Sequence, residues 1–409
     1  MSALTPNDPQ ILAQAVVTTM TVDADPQARE ASIAFWDRGT AYRLEVLEAA
    51  EKVADDTIRR LLAELRADPT DARPQWELTD RLRDLAAHRS PEVEELFALA
   101  WQAESNSRLG YHLGRRYGGP STPKVEVDEL RALQAGDSLP LAVDAPVLVV
   151  VPFRDRGPGL RLRNLLACLL SLRDQSAPRF SYRVVVVESD DVPRWRDVVL
   201  PYVDHYVFAP KDGAFNKSWA VNAGVVNTPG RPEVICILDA DVLADRDFVS
   251  RNTARFRHPG TMGHLTYRDM WCLDPSSTCW AIRERVRLQS PEADSDHLRA
   301  FVLRRPPGCC VWARTSAFHR IEGMDERFEG WGGEDNDFAY RMDYYSAFDH
   351  YDDLLLHMYH PSSAVLREDG DTVNAHIPVL SWRPTAPIGD LTRFTDVAKP
   401  EEPIPTDAA

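Results

Sequence analysis

Between Val147 and Asp241, short, mostly apolar runs alternate with helix-like stretches, and this pattern constrains the fold more than any other feature. Val147–Val151 ends at Pro152, Tyr182–Val187 ends at Glu188, and Val234–Leu238 ends at Asp239. His205–Phe208 is a shorter candidate strand, and Leu160–Leu172 and Ser218–Val226 read as helices. Apolar runs without polar alternation suit strands buried on both faces. Their alternation with helices predicts an α/β fold, a mostly parallel sheet flanked by helices. Ligands bind such sheets beyond the carboxyl ends of the strands. Arg154, Asp155, Arg156, Glu188, Asp239 and Asp241 all fall there.

Four regions follow from the pattern. Residues 1–25 are polar and proline-containing and are expected to be a flexible N-terminus. Residues 26–144 read as a helical N-terminal domain. Leu47, Ala50, Ala54, Ile58, Leu61 and Leu65 recur at helical steps, and Asp71 and Ser90 stand where helix caps belong. That apolar stripe reads either as plain core or as an interaction face, through which the helices could dimerise or dock a partner. Residues 145–385 carry the strand pattern and are expected to form the α/β domain. Residues 386–409 are proline-rich and acidic and are expected to be disordered.

Composition narrows the function classes. The chain has 409 residues, with 63 acidic against 47 basic side chains and a net charge of -16. An acid excess argues against nucleic-acid binding, which leaves a basic footprint. A nucleotide site needs only a few cations or a metal and is not excluded. No apolar run approaches the roughly 20 residues that cross a bilayer. No secretory pattern opens the chain, whose first basic residue is Arg29. The six cysteines form no CxxC pair, which argues against a zinc cluster. Reduced thiols then fit a cytoplasmic protein.

Five constellations carry chemistry. Asp239-Ala240-Asp241 closes a buried strand, so its carboxylates suit a hard divalent cation; the plainer reading is a turn with two solvated acids. Gly330 to Asp337 places Trp331 among glycines, ahead of Glu334 and Asp335 at a helix start. Acids alone would be ordinary capping there, but a tryptophan flanked by glycines suits a ring lying across a ligand. His357 and His360 are three apart and could share a metal, or be structural. Pro152-Phe153-Arg154-Asp155-Arg156 offers arginine forks for phosphate, or surface salt bridges. Phe215 to Gly224 starts a helix with Asn216 and Lys217, where Asn216 or Ser218 could simply be the N-cap.

Taken in order, these segments resemble the GT-A glycosyltransferases, family 2-like. The closest resemblance is to the beta-1,4-galactosyltransferase group with its polypeptide N-acetylgalactosaminyltransferase and chondroitin-synthase relatives. It covers about Ala145 to Ser363, rests most on Gly330 to Asp337, and leaves out the N-terminal helices.

The resemblance implies a Rossmann-like GT-A domain and a site. Pro152, Phe153, Arg154 and Arg156 would form the first nucleotide-binding loop, and Glu188 would contact base or ribose. Asn216 and Lys217 would lie near the donor. Asp239 and Asp241 match the metal-binding Asp-x-Asp, with Asp241 the direct ligand. Trp331 and Gly333 would line the sugar and acceptor site. Glu334 and Asp335 match the acidic pair that holds sugar hydroxyls and supplies the base, here Asp335. His360 matches the downstream metal-ligand histidine, and His357 falls where galactosyltransferases carry a methionine ligand. The expected cofactor is Mn²⁺ or Mg²⁺. The expected reaction moves a hexose or N-acetylhexosamine from a nucleoside-diphosphate sugar, UDP-linked, to an acceptor hydroxyl with inversion. The alternatives are a retaining enzyme of this fold and a non-catalytic binding module. The chain departs from luminal members in showing neither membrane anchor nor disulfide pattern, and Asn336 replaces an acid of the galactosyltransferases.

Overall fold

A computed structural model describes residues 6–88, 90–133, 145–362, 367–368 and 370–394. The chain forms two compact units. One gathers Met1–Val125, Tyr267–Pro306 and Asp352–Ala364; the other gathers Glu126–Thr266, Pro307–Tyr351 and Val365–Ala409. The boundary expected near residue 145 abuts 134–144, outside the described residues, and the units part at Val125 instead.

Helices dominate the first unit. Pro9–Ala24, Ile33–Lys52, Asp56–Ala67, Ala72–Ala87 and Pro91–Ser107 enclose a core that includes Val16, Met20, Val46, Leu61, Leu78 and Leu96. Ala50, Ile58, Leu61 and Leu65 of the apolar stripe lie in this core, Leu47 packs against it partly buried, and Ala54 is exposed. Asp55 interrupts the stripe, accepting the Ile58 N–H at 2.9 Å and capping a new helix. The expectation of a flexible start is corrected. Asp8 caps a helix over Pro9–Ala24, and Ala13, Val16, Val17 and Met20 are buried. Its Val and Thr residues lower helix propensity, and burial on several sides blurs its period. The unit also recruits later strands. Leu109–Leu113, Arg299–Arg304, Asp269–Leu273 and Leu355–His357 neighbour one another in that order, antiparallel except for the last pair. The N-terminal region is therefore helical without being an all-helical domain.

The second unit is built on one sheet. Its strands run Phe348–His350, Gly263–Leu265, Cys310–Arg314, Val234–Leu238, Val147–Phe153, Tyr182–Glu188 and His205–Phe208. The last four are mutually parallel, whereas Cys310–Arg314 is antiparallel to both neighbours. Val147–Phe153, Tyr182–Glu188 and Val234–Leu238 are buried along their whole length and are apolar but for Arg183 and Glu188, because both faces are covered. On one face lies helix Lys217–Asn227, drawn close by Gly224: a Cβ there would come within 2.6 Å of Val150 Cγ1 and 2.7 Å of Val187 Cγ2. The fold is α/β, as expected.

The expected disordered tail is also corrected. Ile388, Leu391 and Phe394 pack against the core of this unit. The Asp390 carbonyl accepts from Trp219 Nε1 at 3.0 Å, and the Gly389 N–H donates to Glu326 at 2.6 Å. Even partial burial of such side chains is worth on the order of a few kcal/mol. Residues 395–409 lie outside the described residues.

Candidate active site

Strand Val234–Leu238 delivers Asp239 to its carboxyl end, where the Asp239 N–H donates to the Cys309 carbonyl at 2.8 Å. Helix Lys217–Asn227 starts nearby, and helix Glu334–Tyr345 starts with the acidic pair. Lys217 joins all three elements. Its Nζ lies 2.8 Å from Asp239 Oδ1 and 3.1 Å from Asp335 Oδ2. The three side chains are only 11%, 23% and 22% exposed, so their charges interact with little screening.

One ammonium cannot neutralise three neighbouring carboxyls. Burial opposes the charge on Lys217, yet Asp239, Asp335 and Glu334 hold its pKa well above the ordinary lysine value. Burial raises Asp335 as well, with Lys217 opposing. Glu334 is pushed up to about 7, by burial first and then by the charge of Asp335. Its Oε2 is buried and has no hydrogen-bond partner. The site thus contains an ionised Lys217, a carboxylate held in place at Asp335, and a carboxyl at Glu334 that changes protonation near neutrality.

Glycine makes the loop before the acidic pair possible. Gly330, Gly332 and Gly333 have φ of 76°, 98° and 103°, which side chains rarely adopt. Gly333 precedes the helix, and a Cβ there would meet Phe328 at 2.6 Å. Trp331 is half-buried between the glycines. The Gly330 N–H donates to the Phe215 carbonyl at 2.8 Å, tying this loop to the segment that carries Lys217.

Several expected donor contacts serve the scaffold instead. Pro152 and Phe153 are buried at their strand end. Arg154 donates to the carbonyls of Ser189, of Gly213 at 2.7 Å and of Lys211 at 2.9 Å, so it fastens loops together. Glu188 is fully buried, accepting from Tyr206 Oη and from the Trp195 N–H at 3.1 Å. Asn216 is fully buried too. It caps its helix by accepting the Trp219 N–H at 2.8 Å and donates to the Glu326 carbonyl at 2.8 Å. Arg154 is half-buried, and Arg156 is exposed and paired with Asp190 at 2.5 Å and with Asp212 at 3.3 Å.

The metal candidates divide between the units. Asp239 and Asp241 stand in the second, with Asp241 9% exposed. His357 and His360 belong to the first, their ring centroids 5.1 Å apart. His360 Nδ1 lies 2.8 Å from the Pro361 carbonyl, an acceptor, so Nδ1 is the donor. The Tyr359 N–H donates to Thr278 Oγ1 at 2.8 Å and steadies the segment between the imidazoles. Carboxylate oxygens and neutral imidazoles are the donor types that Mn²⁺ accepts, and the carboxylates suit Mg²⁺.

Sequence reading passed over two residues of this site. A Cβ on Gly308 would fall 2.2 Å from Asp335 Oδ2, so the missing side chain makes room for that carboxylate. Cys309 holds a left-handed φ of 63°, and burial and the charge of Asp239 keep its thiol protonated. The Pro306-Pro307-Gly308 turn ahead of a strand was the available signal.

Residues 148–322 match the glycosyl transferase family 2, and residues 303–348, which include Gly308 and the Trp331 loop, match the N-terminal domain of galactosyltransferase. No curated protein matches the sequence. Solved structures with similarity include the catalytic domain of Drosophila beta1,4-galactosyltransferase 7 in complex with xylobiose. It is 16% identical, over 53% of this chain and 71% of that one, with a TM-score of 0.30. The mannosyltransferase PcManGT from Pyrobaculum calidifontis, in complex with GDP-Man and Mn²⁺, is 16% identical over 59% and 64%, with a TM-score of 0.35. S. aureus TarS 1–349 is 14% identical over 52% and 60%, also with a TM-score of 0.35. Among the described residues no helix is long and apolar enough to cross a membrane. Residues 148–322 thus carry a glycosyltransferase family 2 region, overlapped over 303–348 by a galactosyltransferase-like segment.

Proposed function

We propose that the protein transfers a hexose or N-acetylhexosamine from a UDP-sugar to an acceptor hydroxyl, with inversion and with the help of a divalent cation. The observation that carries this reading is the Lys217 bridge between Asp239 and Asp335. It joins the strand-end carboxylate of a donor site to a carboxylate fit to be a base. Asp335 accepts the acceptor's hydroxyl proton while the acceptor oxygen bonds to the anomeric carbon and the diphosphate leaves with the electrons of the broken C–O bond. Glu334, with its pKa near 7 and an unpartnered oxygen, hydrogen-bonds a sugar hydroxyl. Trp331 and Gly333 form the sugar's wall. Lys217 and Arg156 add positive charge beside the donor.

Asp241 is the proposed direct metal ligand, with Asp239 beside it. His360 and His357 complete the set on the strength of the sequence resemblance. The chemistry that Mn²⁺ or Mg²⁺ supplies when bound is neutralisation of the leaving diphosphate. The proposed place of action is a reducing compartment such as the cytoplasm, on the sequence reading given above.

The test is release of free nucleoside diphosphate from a panel of UDP- and GDP-sugars, with Mn²⁺, with Mg²⁺ and with chelator. Metal-dependent turnover of one UDP-sugar is the expected result. Absence of both turnover and donor binding across the panel would favour a non-catalytic binding module.

A further inference from the structure

The loop that carries Trp331 has no regular hydrogen-bond ladder, and the positive φ of Gly330, Gly332 and Gly333 gives it wide conformational freedom. Fixing such a loop costs entropy that something must offset. One side chain, far along the sequence, grips it on both sides. Asn374 Nδ2 donates to the Glu329 carbonyl at 3.1 Å and to the Gly332 carbonyl at 2.9 Å. Both partners are carbonyl oxygens, so the amide nitrogen must face them and the orientation is unambiguous. Asn374 is 5% exposed.

The neighbours of Asn374 support this grip. A Cβ on Gly332 would come within 3.0 Å of Thr372 Cγ2, so strap and loop touch closely. The Ile377 N–H donates to the Asn374 carbonyl at 2.9 Å and the Ala375 N–H to the Thr372 carbonyl at 3.1 Å, which hold the strap in a turn. Farther along, the Leu380 N–H donates to Asp337 Oδ1 at 2.8 Å, in the first turn of the helix that starts with Glu334.

We propose that Asn374 is a positioning residue for sugar transfer: its amide pins the backbone on either side of Gly330-Trp331 and so sets where Trp331, Glu334 and Asp335 stand. This inference rests on the transfer reading above. Asn374 touches no reacting atom in it and acts through the loop.

The test compares the full-length wild type with Asn374→Asp, which keeps the shape but offers the two carbonyls no hydrogen, and with Asn374→Ala. Amide hydrogen exchange of a peptide spanning 328–335 is measured beside one spanning strand Val234–Leu238, with melting temperature and UDP-sugar kinetics. Exchange should quicken in the loop and stay unchanged in the strand. The kcat should fall about tenfold or more, with a smaller change in donor KM. Unchanged loop exchange in both variants overturns the proposal whatever the activity. Faster exchange with wild-type kcat also overturns it, as does a loss explained wholly by a lowered melting temperature. If the wild type turns over no donor, the transfer reading fails on its own. Faster loop exchange would then still support the grip, and unchanged exchange would still overturn it.

Discussion

Lys217 donates to Asp335 across 3.1 Å, joining two helix starts that lie 118 residues apart in sequence. Its second ion pair, to Asp239 at 2.8 Å, lets this cation serve both the strand-end acid and the proposed base. Replacing Lys217 with Met leaves Asp239, Asp335 and Glu334 facing one another without a counter-charge. Transfer should fall about 100-fold, and stability should drop by on the order of 3 kcal/mol, the usual cost of stranding buried charge. Lys217→Arg, which keeps the charge, should retain more of both. Steady-state kinetics and thermal melts check this.

Glu334 gives the site its pH dependence. Its pKa in the folded protein, about 7, lies above the ordinary 4.5. Between those values the folded state holds a proton that the unfolded state has released, so this group weakens folding as pH rises toward 7. Glu334→Gln should therefore raise the melting temperature at about pH 8, with the gain shrinking toward about pH 5. The same substitution should remove a transition near neutral pH from the kcat/KM profile. An unchanged profile would mean that Glu334 does not touch the reaction.

Gly308 owes its importance to space. A Cβ at this position would lie 2.2 Å from Asp335 Oδ2. Gly308→Ala should displace that carboxylate and cut transfer about 100-fold. Since the added methyl sits at the site and not in the core, the melting temperature should move by only a few degrees. Activity per folded molecule, with melting followed in parallel, separates the two effects.

The C-terminal segment should be needed for folding. Phe394 packs edge-on against Trp219 with centroids 4.8 Å apart and lies under Lys211 Nζ at 4.2 Å. Phe394→Ala should destabilise by about 2 kcal/mol, toward the low end for aromatic truncation because the ring is only partly buried. Urea unfolding measures it.

Residues that act locally were legible in the sequence. The strand expected at Val234–Leu238 has those same bounds, and Tyr182–Val187 extends by only one residue, because runs this rich in apolar, β-branched residues suit a parallel strand buried on both faces. Asp239 was expected at a strand end and Glu334 and Asp335 at a helix start, which is where they stand. Burial and long-range bonding were not legible. Nothing near Arg154 announces that its guanidinium is held by the carbonyls of Ser189, Lys211 and Gly213. Glu188 was read as facing a ligand and is instead enclosed with Tyr206. Ile388, Leu391 and Phe394 are isolated apolar residues in a polar, proline-bearing stretch with no period to read, and their packing depends on Trp219 and Glu326 far upstream. The grip of Asn374 on the Trp331 loop left no local mark either.

The most direct test of the central claim is Asp335→Asn, measured for sugar transfer and for UDP-sugar binding in the presence of Mn²⁺. With Asp335 as the base, transfer falls by about 100-fold or more, while donor affinity stays within about threefold, a change of under 1 kcal/mol. Near wild-type turnover in this variant would contradict the assignment and shift the base to Glu334.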